Sequence, residues 1–122
     1  MIYTSRVYET KEQRKGKTFL VDRMWPRGIK KDELDVEGWV KEVAPNTELR
    51  RWFHGQPERW QEFKKRYYEE LNRAQEAWEP ILKVAQEGDV TLLYGSKDRE
   101  HNNAVALKTY LDRALGEIGK PE

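Results

Sequence analysis

The chain opens with a two-residue period. Ile2, Thr4 and Arg6 alternate with Tyr3, Ser5 and Val7 in a stretch rich in branched and aromatic residues, the pattern of a β-strand. The polar run over residues 9–17, with one glycine, predicts a mobile loop. "TFLVDRMW" (18–25) predicts a second strand, stopped by Trp-Pro-Arg-Gly because Pro26 cannot donate to a ladder and Gly28 permits a turn. From Asp35 the period changes, and Val36, Trp39, Val40 and Val43 predict a helix that ends at Pro45. Asn46 then reads as the N-cap of a short helix, "TELRRWF", with Leu49, Trp52 and Phe53 on one face and Gly55 just past its end.

Pro57 stands in the favoured first turn of a longer helix, on which Trp60, Phe63, Tyr67 and Leu71 form a continuous stripe. Trp78, Ile81, Leu82 and Ala85 share a face around Pro80, expected at a bend or first turn, and Gly88 closes that helix. "DVTLLYGS" (89–96) is too short and too apolar for a surface helix and reads as the central strand. Ala104, Leu107, Leu111 and Ala114 mark a last helix, and Gly116, Gly119 and Pro121 predict a frayed tail from about residue 116. Apolar strands separated by helices predict a small, mainly parallel sheet flanked by helices, in one three-layer α/β domain spanning residues 1–122. Neither strand order nor oligomeric state follows from the sequence.

Composition narrows the function. The chain has 122 residues, enough for one unstapled core, and no cysteine, which removes disulfides, thiolate metal sites and thiol nucleophiles. No signal-like or membrane-spanning apolar run is present, so the expectation is a cytoplasmic protein without a membrane partner. Charged residues are 37% of the chain, in both signs at helical spacings, which suits a surface laced with ion pairs and a heat-adapted source.

Net charge is only +1, but residues 11–31 hold eight Lys and Arg against two acids, leaving the rest of the chain net negative. In open parallel sheets, ligands bind beyond the carboxyl ends of the strands. The chain following the second and last strands would then bring Arg23, Trp25, Arg27 and Gly28 opposite Tyr94, Ser96, Asp98, His101, Asn102 and Asn103. Arginine forks and the start of the last helix would suit a phosphate or carboxylate, with Trp25 as a pocket floor or stacking surface. Arg6, at the end of the first strand, is a further candidate, although its strand position allows either face. Asp98 and His101, three residues apart, are the candidate acid-base pair, the carboxylate orienting the imidazole.

Each residue also has a structural reading. Asp22 and Arg23 could form an ion pair, Trp25 could belong to the core as Trp39, Trp52, Trp60 and Trp78 do, and Asp98 or Asn102 could simply cap a helix. Two distant histidines, His54 and His101, lack metal-ligand spacing, so no metal and no cofactor are expected. No Walker loop, dinucleotide fingerprint or nucleophile elbow appears. The leading expectation is therefore a binding pocket for a small anion, a phosphorylated molecule, nucleotide or nucleobase derivative, with catalysis left open. The alternative is a non-catalytic nucleic-acid-binding or regulatory module using the basic segment 11–31. A third is an interaction subunit whose exposed tryptophans dock a protein partner.

Taken together, "VDRMWPRG", "WVKEVAPNTELRRWF", "PERWQEFKKRYYEEL" and "VTLLYGSKDREHNNAVAL" resemble the YeaO-like branch of the domain of unknown function 488 family. The resemblance runs nearly the whole chain and implies a small α/β domain from a bacterial or archaeal cytoplasm, with no assigned reaction. Some members carry labels as transcriptional regulators, yet no helix-turn-helix pattern is present here. In the wider family the last strand leads into Leu-Leu-Cys-x-Glu, then an acid and Cys-His-Arg. Here Tyr94 stands at the first cysteine and Ser96 at the glutamate, with Asn102 and Asn103 near the Cys-His, while Asp98 and His101 fit the YeaO-like pattern.

Overall fold

A computed structural model describes residues 1–9, 12 and 14–119, with side chains for these residues up to 116. Its strands are β1 (Ile2–Arg6), β2 (Lys17–Leu20), β3 (Gly38–Trp39) and β4 (Val90–Tyr94), and its helices α1 (Thr47–Phe53), α2 (Trp60–Asn72), α3 (Gln75–Glu87) and α4 (Asn103–Gly119). The sheet is parallel throughout, in the order β1-β4-β2-β3. The expected central strand is β4, buried along its whole length. Ile2 pairs with Val90 on one side and Phe19 with Leu92 on the other.

Strand alternation divides the core in two. Val90, Leu92 and Tyr94, with Ile2, Phe19 and Val21, join Leu49, Phe63, Tyr67, Ile81 and Leu107 from the four helices. Leu93, Leu20 and Val7 face the other way and are covered by irregular chain carrying Trp25, Ile29, Leu34 and Val36, together with Trp39 of β3. The third layer is thus loop, not helix. On this side the backbone of Lys15 brackets the buried Thr91 hydroxyl, its N–H donating at 3.0 Å and its carbonyl accepting at 2.8 Å.

Three expectations need correction. The helix expected over 35–45 is instead β3 followed by a short 3-10 turn, Lys41–Val43. Glu37 N–H donates to Thr18 O and Val40 N–H to Leu20 O, so this segment completes the sheet edge. Gly38 and three β-branched valines are poor helix formers, and the ladder prevails over an apolar spacing that only mimics a helix. The second strand ends at Leu20, five residues earlier than expected, because the chain leaves the sheet after Val21 bonds to Leu93 O. Gly116 does not end α4, which continues to Gly119, since one glycine costs a helix only about 1 kcal/mol. The end of the expected tail, 120–122, and residues 10, 11 and 13 of the expected mobile loop lie outside the described residues.

Other boundaries stand. Asn46 caps α1 by accepting the Leu49 N–H at 2.8 Å, and Pro57 opens a 3-10 turn leading into α2. Gly88 follows the last residue of α3, whereas Pro80 lies inside that helix and not in its first turn.

Candidate functional site

Beyond the carboxyl ends of β2 and β4 lies a cavity of about 610 Å³. Its walls come from the chain leaving β2 (Asp22–Met24), the Ala44–Pro45 corner, the end of α1 with the turn after it, the loop leaving β4, and the approach to α4. Arg23, Ser96, Asp98, His101, Asn102 and Asn103 all line it, so part of the expected grouping is brought together.

Five expected members are not brought there. Tyr94 is buried in the helix-covered core. Arg6 reaches the rim only from outside, its Nε donating to Ser96 O at 2.9 Å and its guanidinium lying over the Tyr8 ring. Trp25 turns to the loop-covered face, donating to Ile29 O at 2.6 Å and meeting Trp39 edge-on at 5.4 Å. Arg27 is exposed with its carbonyl accepting from the Tyr8 hydroxyl, and Gly28 serves a turn with φ of 79°. The Trp-Pro turn separates them: Met24 still lines the cavity, whereas the next residue is held by the second core cluster.

Asp22 is a cavity-wall residue whose setting the sequence conceals. It does not pair with Arg23, whose Nε and one terminal nitrogen donate to Pro45 O (3.2 Å) and Ala44 O (3.1 Å). Instead, one Asp22 oxygen accepts the Gly95 N–H at 2.8 Å and the other accepts from Asn103 Nδ2 at 3.1 Å. Trp39 Nε1 holds its backbone carbonyl at 2.7 Å. Burial raises the Asp22 carboxyl above the usual range, partly offset by Gly95, Asn103 and the charge of Arg50.

That direction gives a pH prediction. With a raised folded-state pKa, the folded protein binds the extra proton, so Asp22's relative stabilisation is fullest below its unfolded value and disappears as pH rises through the folded one. Asp22→Asn should therefore gain stability relative to wild type as pH rises from about 4, levelling off once the buried acid is ionised. Urea unfolding across that range checks it; a constant difference between the two proteins would contradict it.

Asp98 shifts the other way. Burial pushes its carboxyl up, but the backbone N–H groups of His101 and Glu100, with the His101 ring, together outweigh this and hold it below the usual range. Oδ1 accepts those two N–H groups at 2.9 and 3.0 Å, and Oδ2 lies 3.1 Å from His101 Nδ1. The expected carboxylate–imidazole pairing is present, in the loop before α4. Its ring meets Trp60 edge-on at 5.3 Å. Asn102 is buried and caps α4, accepting the Val105 N–H at 3.0 Å and donating to Asp98 O at 2.9 Å.

Arg50, His54 and Lys97 also line the cavity, and all three are exposed. His54 follows α1 and Lys97 follows β4, so strand-end reasoning could have reached both. Nothing local distinguishes Arg50 from Arg51; only the docking of α1 does. Among the described residues, no three His, Asp or Glu side chains converge as metal ligands.

Fold and cavity define a small all-parallel α/β domain with its pocket at the strand carboxyl ends. The family model described as the inactive DUF488-N3 subclade matches residues 1–121, and the chain belongs to that family. It is 40% identical over 110 residues to the uncharacterised protein YeaO of Escherichia coli (strain K12), covering 90% of this chain and 96% of the relative. It is also 40% identical over 111 residues to the uncharacterised protein Rv3073c of Mycobacterium tuberculosis (strain ATCC 25618 / H37Rv), covering 91% and 93% respectively. No solved structure matches the chain. Among the described residues, no helix is long and apolar enough to cross a membrane.

Proposed function

We propose that this protein binds a small anionic molecule in the cavity without turning it over. The observation that carries this reading is an imbalance between engaged carboxylates and available cations. Both acids in the wall are bound by neighbouring N–H donors, Asp22 by Gly95 and Asn103, Asp98 by Glu100 and His101. By contrast, Arg50 and Lys97 make no hydrogen bond or ion pair through their side chains among the described residues. Arg23 adds charge from a guanidinium pinned by two carbonyls, which fixes it before any ligand arrives. Phosphate or carboxylate is the complement of such donors.

Description of the family as an inactive subclade supports binding without turnover. Under this reading Asp98 and His101 form a binding pair: Asp98 takes Nδ1, leaving Nε2 as the ring nitrogen available to a ligand. The nucleic-acid reading is less well supported because the basic segment is dispersed. Arg23 goes to the cavity, Lys17 lies 3.9 Å from Glu37, and Lys15 lies over the Tyr3 ring.

Thermal shifts against inorganic phosphate, sugar phosphates, nucleoside monophosphates, dicarboxylates and short oligonucleotides, at low and high salt, test the reading. At least one small anion should raise the Tm in both salts. Arg50→Ala and Lys97→Ala should each weaken it by about tenfold, the loss of one charge-assisted contact. Equal shifts in wild type and both variants, or a response to oligonucleotides alone that vanishes in salt, would overturn it.

A further inference from the structure

The cavity has a second pole. Asp22 accepts one donor on each oxygen, Gly95 N–H on one and Asn103 Nδ2 on the other, and an ionised carboxylate offers about four acceptor positions. Among the described residues no cation lies within ion-pair distance of it. Its neighbour Arg23 is turned to the Ala44 and Pro45 carbonyls, and Arg50 acts on it only through space. A largely desolvated carboxylate with no ion-pair partner is costly, and a cation that enters the cavity would offset that cost.

The surroundings hold this acid in place. Trp39 Nε1 fixes its carbonyl, and a Cβ on Gly95 would stand 3.3 Å from its Oδ2, so a side chain there would crowd the carboxylate. The same cavity carries Arg50 and Lys97, with Phe53 and Met24 adding apolar wall.

Resting on the anion-binding reading, we propose that the ligand is amphoteric: a protonated amine meets Asp22, a carboxylate or phosphate meets Arg50 and Lys97, and a short carbon chain joins the two ends. Calorimetric titration of the intact protein with matched pairs tests this, O-phosphoethanolamine against ethyl phosphate and γ-aminobutyrate against butyrate. In at least one pair the amine-bearing member should bind about tenfold tighter. Asp22→Asn should collapse that preference, its folding checked by thermal melt; if this variant does not fold, the wild-type comparison decides alone. Arg50→Ala should weaken both members of the pair.

Equal or weaker binding of the amine-bearing members would overturn the second pole and leave the anion reading standing. Persistence of the preference in a folded Asp22→Asn protein would do the same. No binding of any of the four probes, with another small anion still raising the Tm, would overturn the second pole alone; no response to any small anion would overturn both.

Discussion

Replacing Gly16 with alanine is expected to destabilise the protein by about 2–5 kcal/mol, combining a left-handed backbone penalty with overpacking. Gly16 has φ of 67°, and a Cβ there would lie 1.8 Å from the backbone oxygen of Asp89. That oxygen cannot yield cheaply. It accepts the Lys17 N–H at 3.1 Å, the bond that starts β2 alongside β4. The clash therefore falls where the register of the central strands is set. Thermal or urea unfolding should show a Tm lower by roughly 10 °C for this chain length. Gly116→Ala is the contrast, since an added Cβ there meets nothing within 4 Å inside α4. It should be neutral or stabilising by up to about 1 kcal/mol. Similar melts for Gly16→Ala and wild type would contradict the close approach of these two turns.

Phe63→Ala should cost a comparable amount, about 3–5 kcal/mol by the precedent of large-to-small core changes. Phe63 is 1% exposed, with its ring stacked on Phe53 at 4.3 Å and near-parallel to Trp60 at 5.7 Å. It packs in the core and also touches the cavity. Its removal would take away the packing that holds Phe53, one turn along α1 from Arg50, and so would loosen the pocket as well as the core. Chemical denaturation measures the first effect, and loss of the small-anion thermal shift in the folded fraction measures the second. A cost below about 1 kcal/mol would mean that α1 and α2 do not depend on this stack.

These two sites show how unevenly the sequence reports its fold. Phe63 was legible, because Trp60, Phe63, Tyr67 and Leu71 repeat at helical spacing and their burial follows. The central strand was legible for the same kind of reason. Gly16 reads in the sequence only as part of a polar loop, since its contact with Asp89 is made across 73 positions of chain and leaves no local pattern. β3 leaves no signal in the sequence because two residues of strand carry no period, and pairing with β2 decides their conformation.

The candidate site divides similarly. Parallel strands bring the ends of β2 and β4 to one rim, so the grouping of Arg23 with residues of the 96–103 segment follows from the expectation of a parallel sheet. Trp25 and Arg27 stand beside Arg23 in sequence, but the turn at Pro26 sends them elsewhere. Asp22 resembled the partner of Arg23 because the two are adjacent, yet adjacent residues leaving a strand point apart. Arg50 depends on the packing of α1 against α2, which no local spacing announces.

The most direct test of the central claim is an amide-resolved NMR titration of the protein with inorganic phosphate at physiological salt. Binding in the cavity predicts saturable shifts concentrated at Gly95–Asp98, His101–Asn103 and Gly55, all at the cavity wall. Shifts spread over exposed residues of 14–31 and abolished by salt, or no saturable shifts at all, would contradict it.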